Sequence, residues 1–524
     1  MRTDPTQEGN SQMPQPVTEL GPRSVSGGLD ASVVNEGTDA PDRTGTPYSI
    51  SPGDTFRGEL DAVGDRDWVA IDLDDGDSYT IALQGLPSGA GSLYDPYLRV
   101  YDANGDLVTE DDDGGTGYES ELTFSPNTTG TYYVSAGSYQ WANPDLRQGT
   151  YEISVNTVAP PQPADLDTLA DYLTDGYWQD SGRSARAFDT STDNQITVDI
   201  GALTAEGQQL ARWAFESWEM VADLDFVEVN GSADITFDDD DSGAYSRSFI
   251  LGGEITSSEV NVSTDWLDRN GATIDSYSFQ TYIHEIGHAI GLGHPGDYNG
   301  SGVTYEDDTT FTNDSWHVSI MSYWNQEENP TTRADYALLA TTMMADILAI
   351  RTIYGVPDQN SATAGATTYG ANSTLGNYLA QFFDMLANGT TDPDIYTGQG
   401  MALTIADVGG TDMIDLSFTD VANRLDLRQQ AFSDIAGLDG NLGIARGTVI
   451  ENAIGGSGDD EVIGNDVSNQ LSGDAGNDDV NGGGGEDSLL GEGGDDNILG
   501  GAGFDTIEGG LGHDTLDGEE QADL

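Results

Sequence analysis

A nine-residue pattern repeats seven times without a gap between positions 455 and 517, and this period restricts the fold strongly. Its consensus is G-G-x-G-x-D-x-U-x, where U is a large apolar residue. Glycines permit positive φ in tight turns, and an apolar side chain at every ninth position can be buried inside a coil of strands. The pattern therefore predicts a parallel β-roll over residues 455–524, with two repeats in each turn. The alternative, a flexible acidic tail, would show no fixed period.

The sixth residue of the repeat predicts calcium ligands, because Ca²⁺ prefers carboxylate and carbonyl oxygens. Asn469 takes this place in the second repeat, which also lacks most of the glycines, so the prediction of a calcium site does not extend to this repeat. The repeats resemble the calcium-binding repeats of RTX proteins, and without calcium the segment is expected to be an unfolded polyanion. The other six repeats carry the expected ligands Asp460, Asp478, Asp487, Asp496, Asp505 and Asp514.

The charge balance excludes several kinds of partner. The chain has 524 residues, with 92 acidic against 17 basic side chains, for a net charge of −75. Nucleic acid and anionic membranes need basic side chains that this chain lacks. No apolar run is long enough to span a membrane, and the absence of cysteine excludes thiolate zinc sites. All basic residues are arginine and aspartate dominates the acids, which favours adaptation to salty surroundings (a halophilic protein).

Periodicity and composition divide the chain into six segments of a multidomain protein. Residues 164–356 alone show strong helical periodicity, with helices predicted around Leu210–Val221, Phe279–Ile290 and Leu338–Ile353 between short strands, so this segment is an α+β domain. The other segments are a disordered leader (1–45), an antiparallel β-sandwich (46–157), a stiff linker (158–163), a β-rich connection (357–454) and the roll (455–524).

The second predicted helix carries the motif H-E-x-x-H-x-x-G-x-x-H-P from His284 to Pro295. His284 and His288 project from one helix face at i and i+4, and a turn at glycine can bring His294 round as a third ligand. Three neutral nitrogens suit one catalytic Zn²⁺ and leave a position for water, whose proton Glu285 can take. The alternative is a helix whose histidines only pack or cap.

A second element follows about 30 residues downstream, in the segment Ser319–Trp324. Met321 is predicted as an apolar floor under the zinc. Tyr323 can offer its phenol to the metal or to a tetrahedral intermediate. A buried methionine beside aromatic residues is otherwise ordinary core.

These two elements resemble the serralysin branch of the metzincin metalloendopeptidases, over about residues 164–524. The resemblance implies that His284, His288 and His294 bind zinc, that Glu285 is the general base and acid, and that Tyr323 is a reversible fifth ligand. It also implies calcium ligands between the protease domain and the roll, with solvated loop acids as the alternative; these are Asp407, Gly409, Asp412 and Glu451.

Residues 46–156 resemble the bacterial pre-peptidase C-terminal domain, through Asp65–Val69 and Asp95–Asp102. The resemblance to serralysins does not account for this segment. A removable pro-domain of a zymogen, a binding module for substrate or surface, and a stability module are its three interpretations.

The combined prediction is a secreted zinc-dependent endopeptidase that acts on extracellular proteins and is stabilised by several calcium ions. The alternative is a non-catalytic calcium-dependent adhesin or matrix protein with a structural zinc site. Residues 1–10 do not form a Sec signal peptide, so export through a type I secretion apparatus is expected. The expected partners are protein and peptide substrates, with no nucleic acid and no membrane insertion, and a monomer is expected.

Overall fold

The chain divides into two units, Met1–Pro160 and Pro161–Leu524, in a computed structural model. The structure describes residues 32–139 and 146–519. The division falls inside the predicted linker 158–163, while the predicted boundaries within the second unit remain predictions. No helix in these ranges has the length and apolar character that a membrane crossing requires.

The first unit contains two five-stranded sheets, with strand orders β1-β3-β10-β5-β8 and β2-β4-β9-β6-β7. Its strands are β1 (Val33–Asn35), β2 (Ser49–Ile50), β3 (Thr55–Leu60), β4 (Asp67–Leu73), β5 (Ser78–Gln84), β6 (Pro96–Tyr101), β7 (Leu107–Asp111), β8 (Ser120–Phe124), β9 (Gly130–Ser138) and β10 (Gly149–Val158). Alternating apolar residues of both sheets form one buried cluster, which includes Phe56, Ile81, Val100 and Val134. All pairings are antiparallel except β1 with β3 and β2 with β4.

The predicted leader, residues 1–45, is too long. Val33–Asn35 forms strand β1, which pairs in parallel with Thr55–Arg57 of β3. The carboxylate of Glu36 then accepts hydrogen bonds from the backbone N–H groups of Ala40 and Glu59 and fixes the following turn. Tertiary pairing of two valines therefore outweighs the polar, glycine-rich composition around them. Residues 1–31 of the predicted leader lie outside the described residues.

The second unit begins with helices and a five-stranded sheet of order β12-β11-β13-β15-β14. Its strands are β11 (Gln195–Asp199), β12 (Asp225–Glu228), β13 (Ile235–Asp238), β14 (Ala244–Leu251) and β15 (Glu254–Val262). Only β14, at the edge, runs antiparallel to its neighbour. The helices are α1 (Leu166–Asp171), α2 (Tyr177–Asp180), α3 (Ala205–Glu219), α4 (Thr264–Asn270), α5 (Tyr277–Ala289), α6 (Tyr305–Asp308), α7 (Met344–Tyr354) and α8 (Tyr378–Asn388), with a π-helical turn over Tyr172–Gly176.

Side-chain caps fix where the two central helices begin. The Thr204 hydroxyl accepts a hydrogen bond from Gly207 N at the start of α3, and the Ser276 hydroxyl accepts one from Phe279 N at the start of α5. The indole of Trp218 on α3 donates to the carbonyl of Ile283 on α5 at 3.1 Å. This contact holds the motif helix against the core.

The third predicted helix, Leu338–Ile353, begins too early. Leu338–Leu339 forms β16 and pairs in parallel with Met401–Ala402. Helix α7 starts only at Met344, because the carboxylate of Asp346 accepts the backbone N–H of Met343 and caps the helix there. Apolar composition did not distinguish the short strand from the helix that follows it.

Two further sheets complete the second unit, with orders β16-β18-β22-β21-β20-β24-β26-β28-β30 and β17-β19-β23-β25-β27-β29. Their remaining strands are β17 (Thr368–Gly370), β18 (Met401–Ile405), β19 (Met413–Asp415), β20 (Arg424–Asp426), β21 (Phe432–Ile435), β22 (Leu438–Ile444), β23 (Asn452–Gly456), β24 (Glu461–Ile463), β25 (Gln470–Asp474), β26 (Asp479–Asn481), β27 (Ser488–Leu490), β28 (Asn497–Leu499), β29 (Thr506–Glu508) and β30 (Thr515–Asp517).

From β23 onward, successive strands alternate between the two sheets, and each pairs in parallel with the strand 18 residues away. The apolar residues of the repeats point inward and are buried as far as Ile498, whereas Leu516 in the last strand is 48% exposed. The prediction of a multidomain protein rich in β-strands is confirmed.

Candidate metal centre

The three motif histidines come together at the C-terminal end of α5. His284 and His288 lie one turn apart on the helix, with ring centroids 4.7 Å from each other. Gly291 has φ +121°, and a Cβ there would lie 2.3 Å from the carbonyl oxygen of Arg186, so only glycine fits this turn. The turn places the His294 ring centroid 4.7 Å from that of His288, as the spacing of the motif predicts.

Backbone carbonyls fix the orientation of all three rings. Nδ1 of His284 is 2.9 Å from the Ile320 oxygen, and Nδ1 of His288 is 2.8 Å from the Leu292 oxygen. Nδ1 of His294 is 2.8 Å from the oxygen of Tyr298, whose ring stacks on the imidazole. Because a carbonyl oxygen only accepts, each Nδ1 must carry the proton.

The opposite nitrogens therefore present lone pairs to one another. Burial lowers the pKa of His284 to about 4 and that of His288 to about 3, and it lowers the pKa of His294 well below its usual value, so all three rings are neutral. Nε2 of His288 lies 3.0 Å from Nε2 of His294 with no proton available between them. Converging lone pairs in a buried site repel each other, and a shared cation removes that repulsion. The donor set fits zinc, which binds neutral imidazole nitrogens.

Glu285 lies beside the histidines and is only 8% exposed. Burial raises the pKa of its carboxyl group to about 8. Its side chain lines two adjoining cavities, of about 1160 and 370 Å³, and both are also lined by His284 and Tyr323. A carboxyl group with raised proton affinity therefore faces the space that the two cavities share beside the histidines.

Met321, predicted as the apolar floor of the zinc site, is fully buried beneath the motif helix. A Cβ on Gly287 would lie 2.6 Å from the Met321 sulfur, so the helix backbone and the thioether pack in direct contact. Tyr323 lies at the edge of the site, with its ring centroid 4.4 Å from that of His294. Its hydroxyl is 3.3 Å from Oδ1 of Asn299, and burial raises its pKa to about 12, so the phenol keeps its proton.

Sequence reasoning missed the residue that holds the Met321 turn in place. The buried carboxylate of Asp346 accepts the Ser319 hydroxyl at 2.6 Å and the Ile320 N–H at 2.7 Å. The carbonyl oxygen of the same residue, Ile320, accepts the hydrogen bond from Nδ1 of His284. A lone carboxylate in the otherwise apolar start of α7 was the signal available in the sequence.

The acids predicted as calcium ligands in the segment 357–454 also come together. Asp412 N donates to Glu451 Oε2 at 2.7 Å, and Asp407 Oδ1 accepts the N–H of Gly409 at 2.7 Å. Burial raises the pKa of both aspartates, to about 7 for Asp412. Oδ2 of Asp412 is buried and has no hydrogen-bond donor among the described residues. Such an oxygen suits a calcium ligand.

From Asp478 onward the repeat aspartates share one geometry, in which Oδ1 accepts the backbone N–H of the residue 18 positions earlier, whereas Asp460 accepts that of Asn423. Asp478 accepts from Asp460 at 2.8 Å, and Asp496 accepts from Asp478 at 3.0 Å. Asp505 and Asp514 continue the series by accepting from Asp487 and Asp496. Asp460, Asp478, Asp487 and Asp496 each keep a buried Oδ2 that has no donor in the described part of the chain.

Asn469 occupies the aspartate position of the second repeat, but its side chain donates a hydrogen bond there. Its amide nitrogen donates to the Glu451 carbonyl at 3.1 Å, so an N–H group lies where an aspartate would offer an oxygen. Its Oδ1 accepts the N–H of Asn465 at 2.9 Å. The second repeat therefore satisfies its own side chain with hydrogen bonds.

Sequence comparison supplies the relatives. Serralysin from Photorhabdus luminescens is 35% identical over 281 residues, which cover 51% of this chain and 54% of the relative. Serralysin C from Dickeya chrysanthemi is 38% identical over 276 residues, covering 49% and 53%. Metallopeptidase AprA from Pseudomonas marginalis is 35% identical over 290 residues, covering 52% and 57%. The chain is serralysin-like.

Two family descriptions match separate parts of this serralysin-like chain. "Peptidase M10 serralysin C terminal" matches residues 360–519, and "Bacterial pre-peptidase C-terminal domain" matches residues 65–138, so both predicted resemblances are confirmed. The chain spans about half the length of the curated relatives it matches. The pre-peptidase C-terminal domain of collagenase from Bacillus anthracis aligns with 21% of this chain and 93% of its own length at 20% identity, with a TM-score of 0.17, too low to bear on the fold.

Proposed function

We propose that the chain is a secreted zinc-dependent endopeptidase whose structure is stabilised by calcium. The observation that carries the proposal is the convergence of three neutral histidine nitrogens, all within 4.8 Å of one another, beside the carboxyl group of Glu285. The names and sequences of the relatives support the same activity.

A zinc ion bound by His284, His288 and His294 would polarise the scissile carbonyl and lower the pKa of a water molecule to about 7. Glu285 accepts one proton from the water while the water oxygen adds to the carbonyl carbon. It then delivers that proton to the amide nitrogen, the C–N bond breaks, and the products are a carboxylic acid and an amine. The protonated phenol of Tyr323 donates a hydrogen bond to the oxygen that gains negative charge.

The proposal includes a finer architecture and the calcium ligands. The first unit would be an antiparallel β-sandwich of the pre-peptidase C-terminal kind, followed by an α+β metzincin domain and a parallel β-roll. Calcium would neutralise the orphaned carboxylate oxygens of the roll and those of the Asp407, Asp412 and Glu451 group. Export by a type I apparatus in an unfolded, calcium-free form, and a monomeric state outside the cell, belong to the same proposal.

The test is casein hydrolysis by the full chain in excess calcium, with and without a zinc-selective chelator. We expect the chelator to abolish hydrolysis and added zinc to restore it. Glu285→Gln should lower kcat by at least about 100-fold, because a positioned general base contributes roughly 10²–10⁴-fold. The matched control is Glu206→Gln on the exposed first turn of α3, which should keep the wild-type rate.

The rival function, a calcium-dependent adhesin with a structural zinc site, predicts a different pattern. It predicts no hydrolysis by the wild type in the presence of zinc, and a melting temperature that falls when zinc is removed. Hydrolysis that survives in Glu285→Gln at the wild-type rate would contradict the mechanism, even if zinc is bound.

A further inference from the structure

Three arginine side chains line the larger cavity beside the motif histidines: Arg183, Arg186 and Arg247. None of them forms an ion pair with a carboxylate among the described residues, whereas six other arginines of the second and first units do. In a chain of 92 acidic residues, three arginines without carboxylate partners in one cavity form a distinct feature. They outnumber the two acidic residues of the same lining, Asp175 and Glu285, in an otherwise strongly acidic protein.

Arg186 is held rigidly at the back of this cavity and is 9% exposed. Its guanidinium group stacks on the Trp178 ring at 3.6 Å, and its Nε donates to the Ser184 carbonyl at 3.2 Å. Burial is the main reason that its pKa falls, with the charge of Arg183 adding to the effect, but the value of about 10 keeps it charged at neutral pH. A guanidinium held out of water without a carboxylate is costly, and an incoming carboxylate reduces that cost.

Arg247 lines the same cavity from a different element. It lies on the edge strand β14, is exposed, and has its guanidinium carbon 5.0 Å from the centroid of the Tyr245 ring. Arg183 is also exposed and follows helix α2. The long, exposed side chains of Arg183 and Arg247 and the fixed guanidinium group of Arg186 therefore line one cavity. A carboxylate in this cavity can accept two or more charge-assisted hydrogen bonds.

The smaller cavity, which shares His284, Glu285 and Tyr323 with the larger one, is lined differently. Aromatic side chains line it, among them Trp266, Tyr277 and Trp316. His284, Glu285 and Tyr323 line both cavities, so the reacting bond would lie between them. A peptide crossing the site would meet arginines on one side of that bond and aromatic rings on the other.

We infer that the cleft selects peptide substrates that carry an aspartate or glutamate on the arginine-lined side of the scissile bond. This inference rests on the proposed function and specifies its substrate class. The net charge of −75 opposes acidic peptides at long range, but salt screens that repulsion beyond about 10 Å at 0.1 M ionic strength. Selection then depends on the three arginines at contact distance.

The experiment compares matched peptides that differ only by Glu or Gln. A single Glu is placed in turn at each of three positions on either side of a fixed cleavable bond, and mass spectrometry identifies the products. We expect kcat/KM to be about tenfold higher for Glu than for Gln at one or two positions, all on the same side, as a charge-assisted hydrogen bond of typical strength would give. Equal rates for Glu and Gln at every position would overturn the inference.

Charge substitutions then assign the effect to the arginines. Arg247→Gln and Arg183→Gln should each reduce the Glu-to-Gln rate ratio several-fold, and Arg247→Glu should make a Lys peptide the better substrate at that position. The control is Arg269→Gln on the exposed surface of α4, outside the cavity, which should leave the ratio unchanged. A ratio that stays at the wild-type value in both cavity variants would also overturn the inference.

A binding measurement separates this inference from the proposed function. Fluorescence anisotropy gives the Kd of labelled Glu and Gln peptides for the Glu285→Gln variant, in which no hydrolysis is expected. The inference is supported if the Glu peptide binds more tightly than the Gln peptide and Arg247→Gln abolishes this difference. This result would hold even if the wild type does not hydrolyse peptides. Hydrolysis of Glu and Gln peptides at equal rates, with equal Kd values, would preserve the proposed function and refute the acidic preference.

Discussion

The carboxylate of Asp346 accepts a 2.6 Å hydrogen bond from the hydroxyl of Ser319. Its other oxygen accepts a hydrogen bond from the N–H of Ile320. The carbonyl oxygen of Ile320 in turn accepts a hydrogen bond from Nδ1 of His284. One buried carboxylate on α7 thus determines the orientation of a histidine on α5 through a single residue. Asp346 is a positioning residue, since it touches neither the metal position nor the cavities.

Asp346→Ala should weaken zinc binding by about 10–100-fold, the usual effect of removing a partner that orients a metal ligand. Zinc affinity is measured by competition with a chromogenic chelator, which reports the positioning role separately from activity. Asp346→Asn keeps one acceptor oxygen and should lose less affinity. Asp268→Ala, an exposed change on α4, is the control, and an affinity loss of equal size there would contradict the assignment.

Gly291→Ala should prevent the turn that brings His294 into the site. The new Cβ would lie 2.3 Å from the Arg186 carbonyl oxygen at φ +121°, so we expect a loss of at least about 2 kcal/mol in the free energy of unfolding and weaker zinc binding. Gly182→Ala is the matched control, because Gly182 has φ +68° with no atom within 4 Å of its Cβ position. It should cost only about 1–2 kcal/mol and leave zinc affinity intact.

Removal of calcium should unfold the repeats and lower the melting temperature of the second unit. Asp478→Ala should lower that temperature in excess calcium by roughly 4 °C, equivalent to ~1–2 kcal/mol, and should change it little in a calcium chelator. Asn469→Ala removes hydrogen bonds rather than a ligand, so its effect should be similar with and without calcium. Scanning calorimetry under both conditions measures the difference; equal calcium responses of the two variants would argue against Asp478 as a ligand.

Glu219 predicts a pH-dependent stability that is independent of the metal centre. Burial, with the nearby charges of Asp225 and Glu216 adding to it, raises its pKa from 4.5 to about 7, although the Phe226 N–H opposes the shift. The folded state therefore binds this proton more strongly than the unfolded state does. The resulting penalty is absent below about pH 4.5, grows as the pH rises, and is complete above about pH 7.

Glu219→Gln should flatten this dependence and raise the melting temperature at pH 8 relative to the wild type, with no gain at pH 4.5. Denaturant unfolding at several pH values gives the free energies directly. Glu206→Gln, in the exposed first turn of the same helix, should leave the slope unchanged. A wild-type slope that persists in Glu219→Gln would mean that another group titrates.

Much of the candidate site follows from local sequence because its spacing acts within one helix and one turn. His284 and His288 share a helix face by periodicity, and Gly291 marks the turn before His294 in the sequence itself. The partners of these rings could not be predicted in the same way. Ile320 contributes only a backbone carbonyl, which any residue has, and Asp346 acts across 26 residues of sequence.

The errors in the fold have a similar origin. Val33–Asn35 and Leu338–Leu339 become strands only because distant segments pair with them, and no local pattern records that pairing. The nonapeptide repeats are the opposite case, since their period states which residues will be neighbours. Adaptation to salt and a pro-domain role for the first unit remain predictions, because they concern the environment and processing of the chain.

Because strands β23 to β30 alternate between two sheets, this segment can change length only in fixed steps if its pattern is to be kept. Nine residues add half a turn, and eighteen add one strand to each sheet, or about 4.8 Å along the stack. A change of nine moves every later strand to the opposite sheet but still presents a glycine, an aspartate and an apolar residue at equivalent places. A change that is not a multiple of nine shifts the aspartate and the apolar residue of every later repeat out of their equivalent places. Variation in this region is therefore expected to occur in steps of nine, which allows the stack to be lengthened or shortened without redesign of its neighbours.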